Sequence, residues 1–504
     1  MKGAALRAYH DGTKHTPRSV RESPHFLDWR NEPSKLKRYV GLEPVPLPSF
    51  HPTGLPAHQA VADSAEPDGE GLLGLEALSH VLFHAAGISR TFRSEFGEFH
   101  FRTYACAGAL YPVEVYVVAG EVAGFPPGVY HYAPLEHGLT RLREGDFRGC
   151  IGLAGAPPGA ATLILTGIPW RTGWKYAARG FRHLYWDAGM MLANLLASAA
   201  ALRMRARIHL GFVDRAANDV VGVDGESEFA LCAVAMGRGD APEAVAVPPL
   251  DLEVEPVSPR PERFAAIEEA HRAMQFASEG EVRAFRDAAP EALPHEDEQL
   301  FPAVTPLPAE ALSNDPLEEV VLRRGSSRGF ARDSMLASEM AAILDRALAG
   351  VPGDWLRSGT SVHAVVMAAA LEGLPPGIHD YSPGGRFRLR REGTFRREAG
   401  YLCLEQQLGA DAAAVTFLLA DLDRTLGALG DRGYAAAQLE AAIAAGRIYL
   451  GAYAQCLGTS GITFYDDDIR RFVETQLEPM LVVVSGPEGR RAEIRRCRET
   501  RRPS

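Results

Sequence analysis

The chain has 504 residues, of which 46% are apolar and 23% charged, and its 53 Lys and Arg against 64 Asp and Glu give a formal charge of −11. That length exceeds one ordinary core and implies two or three domains. The composition excludes a disordered or fibrous chain, and the acidic balance excludes nucleic acid as the main partner, because phosphate backbones need a basic face.

Taken in chain order, residues 1–30 open with charges and histidines and contain no apolar h-region, so no signal peptide is expected and the protein is expected to be cytoplasmic. A helix is predicted over Gly71–Ala86. The run Ala105, Cys106, Ala107 and Gly108 stands directly before a predicted strand, Val113–Ala119. Small side chains there either let backbone amides approach a flat ligand or simply make a tight turn. The longest uncharged window, Gly149–Trp170, contains Pro157, Pro158 and Pro169 and cannot span a membrane. Within it, Ala161–Leu165 reads as a buried strand.

Lys175 and Tyr176 follow, inside a segment from Trp170 to Arg182 that is rich in aromatic residues and cations. A Lys–Tyr pair moves protons if burial or neighbouring cations lower its pKa values; the plainer reading is an Arg/aromatic packing cluster. Leu184–Leu202 is apolar nearly all round, which predicts a helix buried between layers or between two halves. Residues 240–262 hold six prolines and form a stiff linker, and residues 263–288 are predicted as one charged amphipathic helix.

Arg324, Ser326 and Arg328 precede a helix-like stretch, where guanidinium groups, hydroxyls and helix-start amides suit a phosphate monoester. A solvated basic turn is the alternative. Helices are predicted over Leu336–Leu348 and Ala435–Leu450. The Gly458–Gly461 segment, which includes Ser460, reads as the cap of that last helix or as a ligand loop. Asp466, Asp467 and Asp468 resemble a metal cluster but suit the cap of the following helix better. Six cysteines stand singly without disulfide or zinc spacing, so no metal is expected. Seven arginines crowd the tail from Arg490 to Arg502.

The chain is also written twice. Pro126–Pro134 returns as Pro375–Pro383, Arg143–Arg148 as Arg391–Arg396, Val113–Ala119 as Ser361–Met367, and Arg179-Gly180 as Arg432-Gly433, at offsets of 248 to 253 residues. A period that long means a duplicated domain, not a solenoid. The expected class is α+β, with the two copies packed as an intrachain pseudo-dimer. The implied boundaries are an arm over 1–70, a first domain over 71–239, the linker over 240–262, and a second domain with helical extension and basic tail over 263–504.

Several of these segments carry a family resemblance. They are Tyr9-His10, Lys14-His15-Thr16-Pro17 and His25-Phe26-Leu27-Asp28-Trp29 in the arm, and Ala107-Gly108-Ala109-Leu110-Tyr111-Pro112. Pro127-Gly128-Val129-Tyr130-His131-Tyr132 and Lys175-Tyr176 with Arg179-Gly180-Phe181-Arg182 complete the set. Together they resemble the nitroreductase superfamily, and more narrowly SagB-type dehydrogenases, the FMN-dependent azoline oxidases of thiazole/oxazole-modified peptide pathways. The resemblance implies two tandem nitroreductase-like domains, each a central antiparallel-type sheet flanked by helices, sharing FMN across their interface. On that basis Arg324, Ser326 and Arg328, helped by Arg490 or Arg491, would hold the FMN phosphate. Ser460 and Gly461 would lie along the flavin, and Ala105, Cys106, Ala107 and Gly108 would cover it from the other half. Lys175 and Tyr176 would face the substrate, with Tyr176 as base, its pKa lowered by Lys175.

This chain departs from the family's usual Pro-Ser loop opening, having Ala105-Cys106 there. The divergence of the two halves predicts one working flavin site, although Gly87-Ile88-Ser89-Arg90 leaves room for a second. A peptide or small-molecule substrate and other natural-product biosynthesis proteins are the implied partners, with neither nucleic acid nor membrane. Two other readings stay open: an NAD(P)H-dependent nitro, quinone or ene reductase, and a non-catalytic flavin- or peptide-binding pseudo-enzyme.

Overall fold

A computed structural model describes residues 2–95, 97–120, 122–292 and 304–489. Helix α1 (Ala4–Gly12) opens the chain, followed by strand β1 (Val45–Pro46) and helices α2 (Ala57–Asp63) and α3 (Leu75–Ala86). Next come β2 (Ile88–Ser94), β3 (Gly97–Arg102), β4 (Val113–Ala119), β5 (Gly128–Ala133), β6 (Gly138–Glu144) and β7 (Ala161–Gly167). Helices α4 (Pro169–Tyr176) and α5 (Gly180–Ala201) lead to β8 (Ala206–His209), α6 (Asp214–Val221) and β9 (Phe229–Met236). Two helices, α7 (Ala265–Met274) and α8 (Glu279–Asp287), stand between the halves.

The second half contains α9 (Leu317–Arg323), α10 (Ala337–Ala347), β10 (Val362–Ala368), β11 (Gly377–Ser382), β12 (Arg386–Glu392) and β13 (Ala414–Ala420). It closes with α11 (Leu422–Leu429), α12 (Arg432–Ala454), β14 (Gly458–Ile462), α13 (Asp466–Phe472) and β15 (Glu478–Gly486).

Each half builds a two-stranded sheet, which in the first half is β2-β3, and one large antiparallel sheet. The first has the order β1-β6-β5-β4-β7-β9-β8 and the second β12-β11-β10-β13-β15-β14, so apart from β1 they match strand for strand. Irregularities are duplicated too. The register shifts between Val129 and Tyr130 in one sheet and between Ile378 and His379 in the other. It shifts again between Leu165 and Thr166, and between Leu418 and Leu419. The central strands are predominantly apolar because both faces are covered, and β4, β7 and β9 are buried throughout.

Helices α5 and α12 form the seam between the halves. Neither has a polar face, and all described residues of α12 are buried, as the apolar pattern requires. They approach closely because glycine stands at the crossing. A Cβ on Gly189 would run into Ala442, and one on Gly446 into Ala193.

Two sequence expectations need correction. Residues 263–288 form two helices, because Ser278 caps α8 with a reciprocal bond to Glu281 and interrupts the run. The Gly458–Gly461 segment is not a helix cap; it pairs with β15 as an edge strand. Among the described residues, no helix is long and apolar enough to cross a membrane.

Candidate functional site

The small-residue loop folds because its backbone is anchored at several points. Ala107–Ala109 make a single turn with Gly108 at φ 63°, and Ala109 and Tyr111 also hold positive φ values of 53° and 47°. Such positions cost on the order of 1–3 kcal/mol each and persist where neighbours over-determine them. Here Asp187 on α5 accepts the Ala107 N–H at 2.9 Å and the Cys106 thiol at 3.1 Å. The Tyr111 N–H donates to Cys106 Sγ at 3.0 Å, and its hydroxyl accepts the Arg102 N–H at 3.1 Å.

Gly108 is where the loop meets the end of α4. A Cβ on it would lie 3.0 Å from the Tyr176 hydroxyl and 3.1 Å from Lys175 Nζ. Proline at the first position of α4 pre-sets that helix, so the pair is delivered on a regular element. Neither polar end has a hydrogen-bond partner among the described residues. The Tyr176 ring stacks on His183, with centroids 4.0 Å apart and planes 9° apart. Both His183 ring nitrogens are buried without a partner among the described residues, and burial together with Arg179 and His15 holds that ring neutral.

The electrostatics separate the pair. Burial lowers the Lys175 pKa from its ordinary value, assisted by Arg328 and Lys35. Burial raises that of Tyr176, with Asp187 and Cys106 adding to the rise and Arg328 opposing it. The expected lowering of Tyr176 is therefore reversed, because its ring lies in the seam. Burial also pushes the Cys106 thiol well up, reinforced by Asp187, so it stays protonated.

Arg324, Ser326 and Arg328 come from the second half and follow the C-terminal end of α9. No helix-start amides stand beside them, contrary to expectation, because α10 begins only at Ala337. Arg324 crosses the seam and donates to the Thr103 carbonyl at 3.0 Å and the Arg102 carbonyl at 3.2 Å. Ser326 Oγ lies 3.2 Å from the Tyr449 hydroxyl, which accepts the Gly461 N–H at 2.6 Å. Arg328 is exposed, and it acts electrostatically on both Lys175 and Tyr176. Ser460 is buried and turned to the Gly461 carbonyl. Ala105 to Gly108, Lys175, Tyr176, Arg324, Ser326, Arg328 and Gly461 thus line one junction. Arg490 and Arg491 lie outside the described residues.

Three contributors escaped the sequence reading: Asp187, His183 and Tyr449. A signal existed for the first, since a lone acid inside an apolar helix must have partners when buried. Burial raises its pKa from 3.8 to about 7 against the Ala107 N–H and Cys106. Asp466 does not cap the following helix as expected, since Tyr465 stands at the N-cap position and no side chain caps it; Asp466 instead binds Arg179 at 2.9 Å and Arg182 at 2.8 Å in the seam. Among the described residues, no group of acidic, His and Cys side chains could hold a metal ion.

Comparison with known proteins bears on the fold that carries this site. Residues 75–238 match the Nitroreductase family. A protein of Methanocaldococcus jannaschii named as a nitroreductase, MJ1384, is 29% identical over 171 residues, 33% of this chain and 81% of its own. The crystal structure of a protein from Anabaena variabilis, also titled a nitroreductase, covers 96% of this chain and 99% of its own at 24% identity and TM-score 0.76. A chain of the E. coli microcin synthetase McbBCD complex with truncated pro-MccB17 overlaps 47% of this chain and 92% of its own, at 18% identity and a TM-score of 0.31. The first half is therefore similar to the nitroreductase family over residues 75–238, and the whole chain has a nitroreductase-like fold repeated in tandem.

Proposed function

We propose that the chain is an FMN-dependent oxidoreductase that oxidises an azoline ring, thiazoline or oxazoline, in a modified peptide or small natural product. The observation that carries this reading is the junction at Gly108. There Lys175 Nζ and the Tyr176 hydroxyl converge, without hydrogen-bond partners among the described residues, across the seam from Arg324, Ser326 and Arg328. The donor set fits a phosphate monoester. No carboxylate among the described residues neutralises Arg324 or Arg328, and guanidinium groups pair with phosphate through several donors at once. The absence of a side chain at Gly108 leaves space that any Cβ would take.

When bound, FMN supplies a two-electron acceptor. The chain's own residues handle the proton. Aromatising an azoline removes a ring C–H proton, and Lys175 Nζ is suited to accept it, because it stands at Gly108 and partial burial with the adjacent cations lowers its pKa from the ordinary lysine value. Tyr176 keeps its proton and holds the ring through its O–H. Cys106, protonated and tied to Asp187, positions the loop and takes no proton.

A second reading follows from Tyr176 alone. A phenol that stays protonated suits proton donation, so the same site run in reverse would reduce a nitro, quinone or unsaturated substrate with electrons from NAD(P)H.

The test is an absorbance spectrum of the purified protein followed by incubation with a thiazoline-containing peptide. A flavin band and the loss of two hydrogens from the peptide are expected. A bound flavin that NAD(P)H bleaches rapidly, with no azole formed, would replace oxidation by the reductive reading. A protein that takes up no FMN would overturn both.

A further inference from the structure

The duplication creates a second junction, related to the first by the pseudo-two-fold axis, and its residues can be placed by register. Ala206 pairs with Met236 and Ala161 with Met236, as Thr459 pairs with Ser485 and Ala414 with Ser485. Ala206 and Thr459 are thus equivalent, and so are Ile208 and Gly461. Ala206 N–H donates to the Pro67 carbonyl, and Ser327 N–H to the Thr459 carbonyl, which makes Pro67 the counterpart of Ser327. Ser64, Glu66 and Asp68 therefore stand where Arg324, Ser326 and Arg328 stand in the first junction.

From these placements we infer that each chain holds one cofactor pocket, and that the twin is closed by the protein's own residues; this rests on the FMN reading above. The charge is wrong for an anion, since two carboxylates replace a hydroxyl and a guanidinium. Gly87-Ile88-Ser89-Arg90, the candidate for a second phosphate turn, does not repair this. It follows α3 and enters strand β2, away from the position after α2 that corresponds to Arg324.

The space is also filled. The Ile208 N–H donates to the Pro352 carbonyl at 2.8 Å, so a peptide group covers the strand edge, whereas the counterpart Gly461 is exposed and its N–H meets the Tyr449 hydroxyl. Beside it Asp354 accepts the Leu210 and Gly211 N–H groups at 2.8 and 3.1 Å. Trp355 is 2% exposed, and its indole N–H points to Glu440 at 3.3 Å. Arg286 of α8 clamps this plug, donating to Asp354 at 3.1 Å and to the Gly211 carbonyl at 2.6 Å. The helical insert between the halves therefore serves as the lock on the closed pocket.

The bridging cation is exchanged as well. In the first junction Arg324 spans the seam from the cofactor turn. In the twin, fully buried Arg447 spans it from the core helix α12, donating to Ser64 Oγ at 3.0 Å, the Ser64 carbonyl at 2.9 Å and the Gly350 carbonyl at 2.5 Å. Its guanidinium is spent on protein oxygens.

Flavin released from the FMN-saturated, full-length protein and quantified against chain concentration tests the inference. One FMN per chain is expected. The variant Arg324→Ala should lose most of it, whereas Asp354→Asn, on the twin side, should still release one. Two FMN per chain in the unmodified protein would overturn the single-pocket inference and leave the functional reading standing. So would retention of one per chain in Arg324→Ala with loss in Asp354→Asn. No FMN in the unmodified protein would overturn the functional reading, and the count of one with it.

Discussion

Lys175 and Tyr176 are neighbours in sequence with opposite acid–base fates, and the difference yields a test. If Lys175 Nζ accepts the substrate proton, turnover rises with pH as the ammonium ionises, and the limb lies below the ordinary lysine value because burial and Arg328 lower it. Arginine at that position cannot deprotonate, so Lys175→Arg should lose ~100-fold or more in turnover together with the limb. Tyr176→Phe should keep the limb and lose less. Steady-state rates from pH 6 to 10 decide the matter, and a Lys175→Arg variant with the full rate and limb would sink the assignment. Asp187 supplies a second test, on stability. Its folded pKa is raised from 3.8 to about 7, so its contribution is fully present below pH 4 and is lost as pH rises through 7. The gap corresponds to ~4 kcal/mol. Asp187→Asn should accordingly gain stability relative to the parent at pH 8 and gain little at pH 4, by urea unfolding at both. At this scale the sequence displayed the reactive pair but not its polarity. The sign of Tyr176's shift is set by burial, with Asp187 and Cys106 adding to it, and only the tertiary packing brings these about.

At the scale of elements, legibility followed how local the cause of each element is. The long core helices and central strands were readable because apolar runs of the right period must be buried wherever they fall, and the repeat made each reading count twice. Strand β14 was not readable, since Gly458–Ile462 has weak strand character and is extended only by pairing with β15. The break between α7 and α8 did have a local signal in Ser278 and Glu281, which the charge pattern of the segment masked. The helix seam makes the sharpest prediction here. Gly446 leaves no room for a Cβ against Ala193 and Met190, so a larger side chain must push α5 and α12 apart. Gly446→Leu should destabilise the protein by ~3 kcal/mol or more, as overpacking of a close-packed core does, although leucine favours the helix itself by roughly 1 kcal/mol. A midpoint that rises in urea would mean the crossing is looser than the geometry demands.

Beside the apolar helix seam, buried carboxylates bridge the parts of the molecule, and its acid response should reveal this. Glu318 of the second half accepts the Thr53 N–H at 2.7 Å and lies 3.1 Å from His80 of the first. Asp354 holds the Leu210 and Gly211 amides, and Asp466 joins Arg179, Arg182 and the His15 N–H of the arm. Although burial alone would raise each carboxyl, the bonds prevail. Hydrogen bonds from His80 and Thr53 take Glu318 from 4.5 to about 2. His209, the Leu210 amide and Arg286 take Asp354 from 3.8 to about 2, and the two arginines hold Asp466 lower still. Groups depressed on folding stabilise above their unfolded values and lose that contribution as pH falls towards the folded ones. Stability should therefore drop between about pH 4.5 and pH 2, by ~2–3 kcal/mol for each of Glu318 and Asp354. Asp187 acts in the opposite sense between pH 4 and 7, so maximum stability belongs near pH 5. Urea unfolding at pH 7, 5 and 3, followed by tryptophan fluorescence, measures the curve. Asp354→Asn should flatten its acid limb, because an amide has no proton to gain there. A limb unchanged by that substitution would mean that the Asp354 contact does not hold the two halves together.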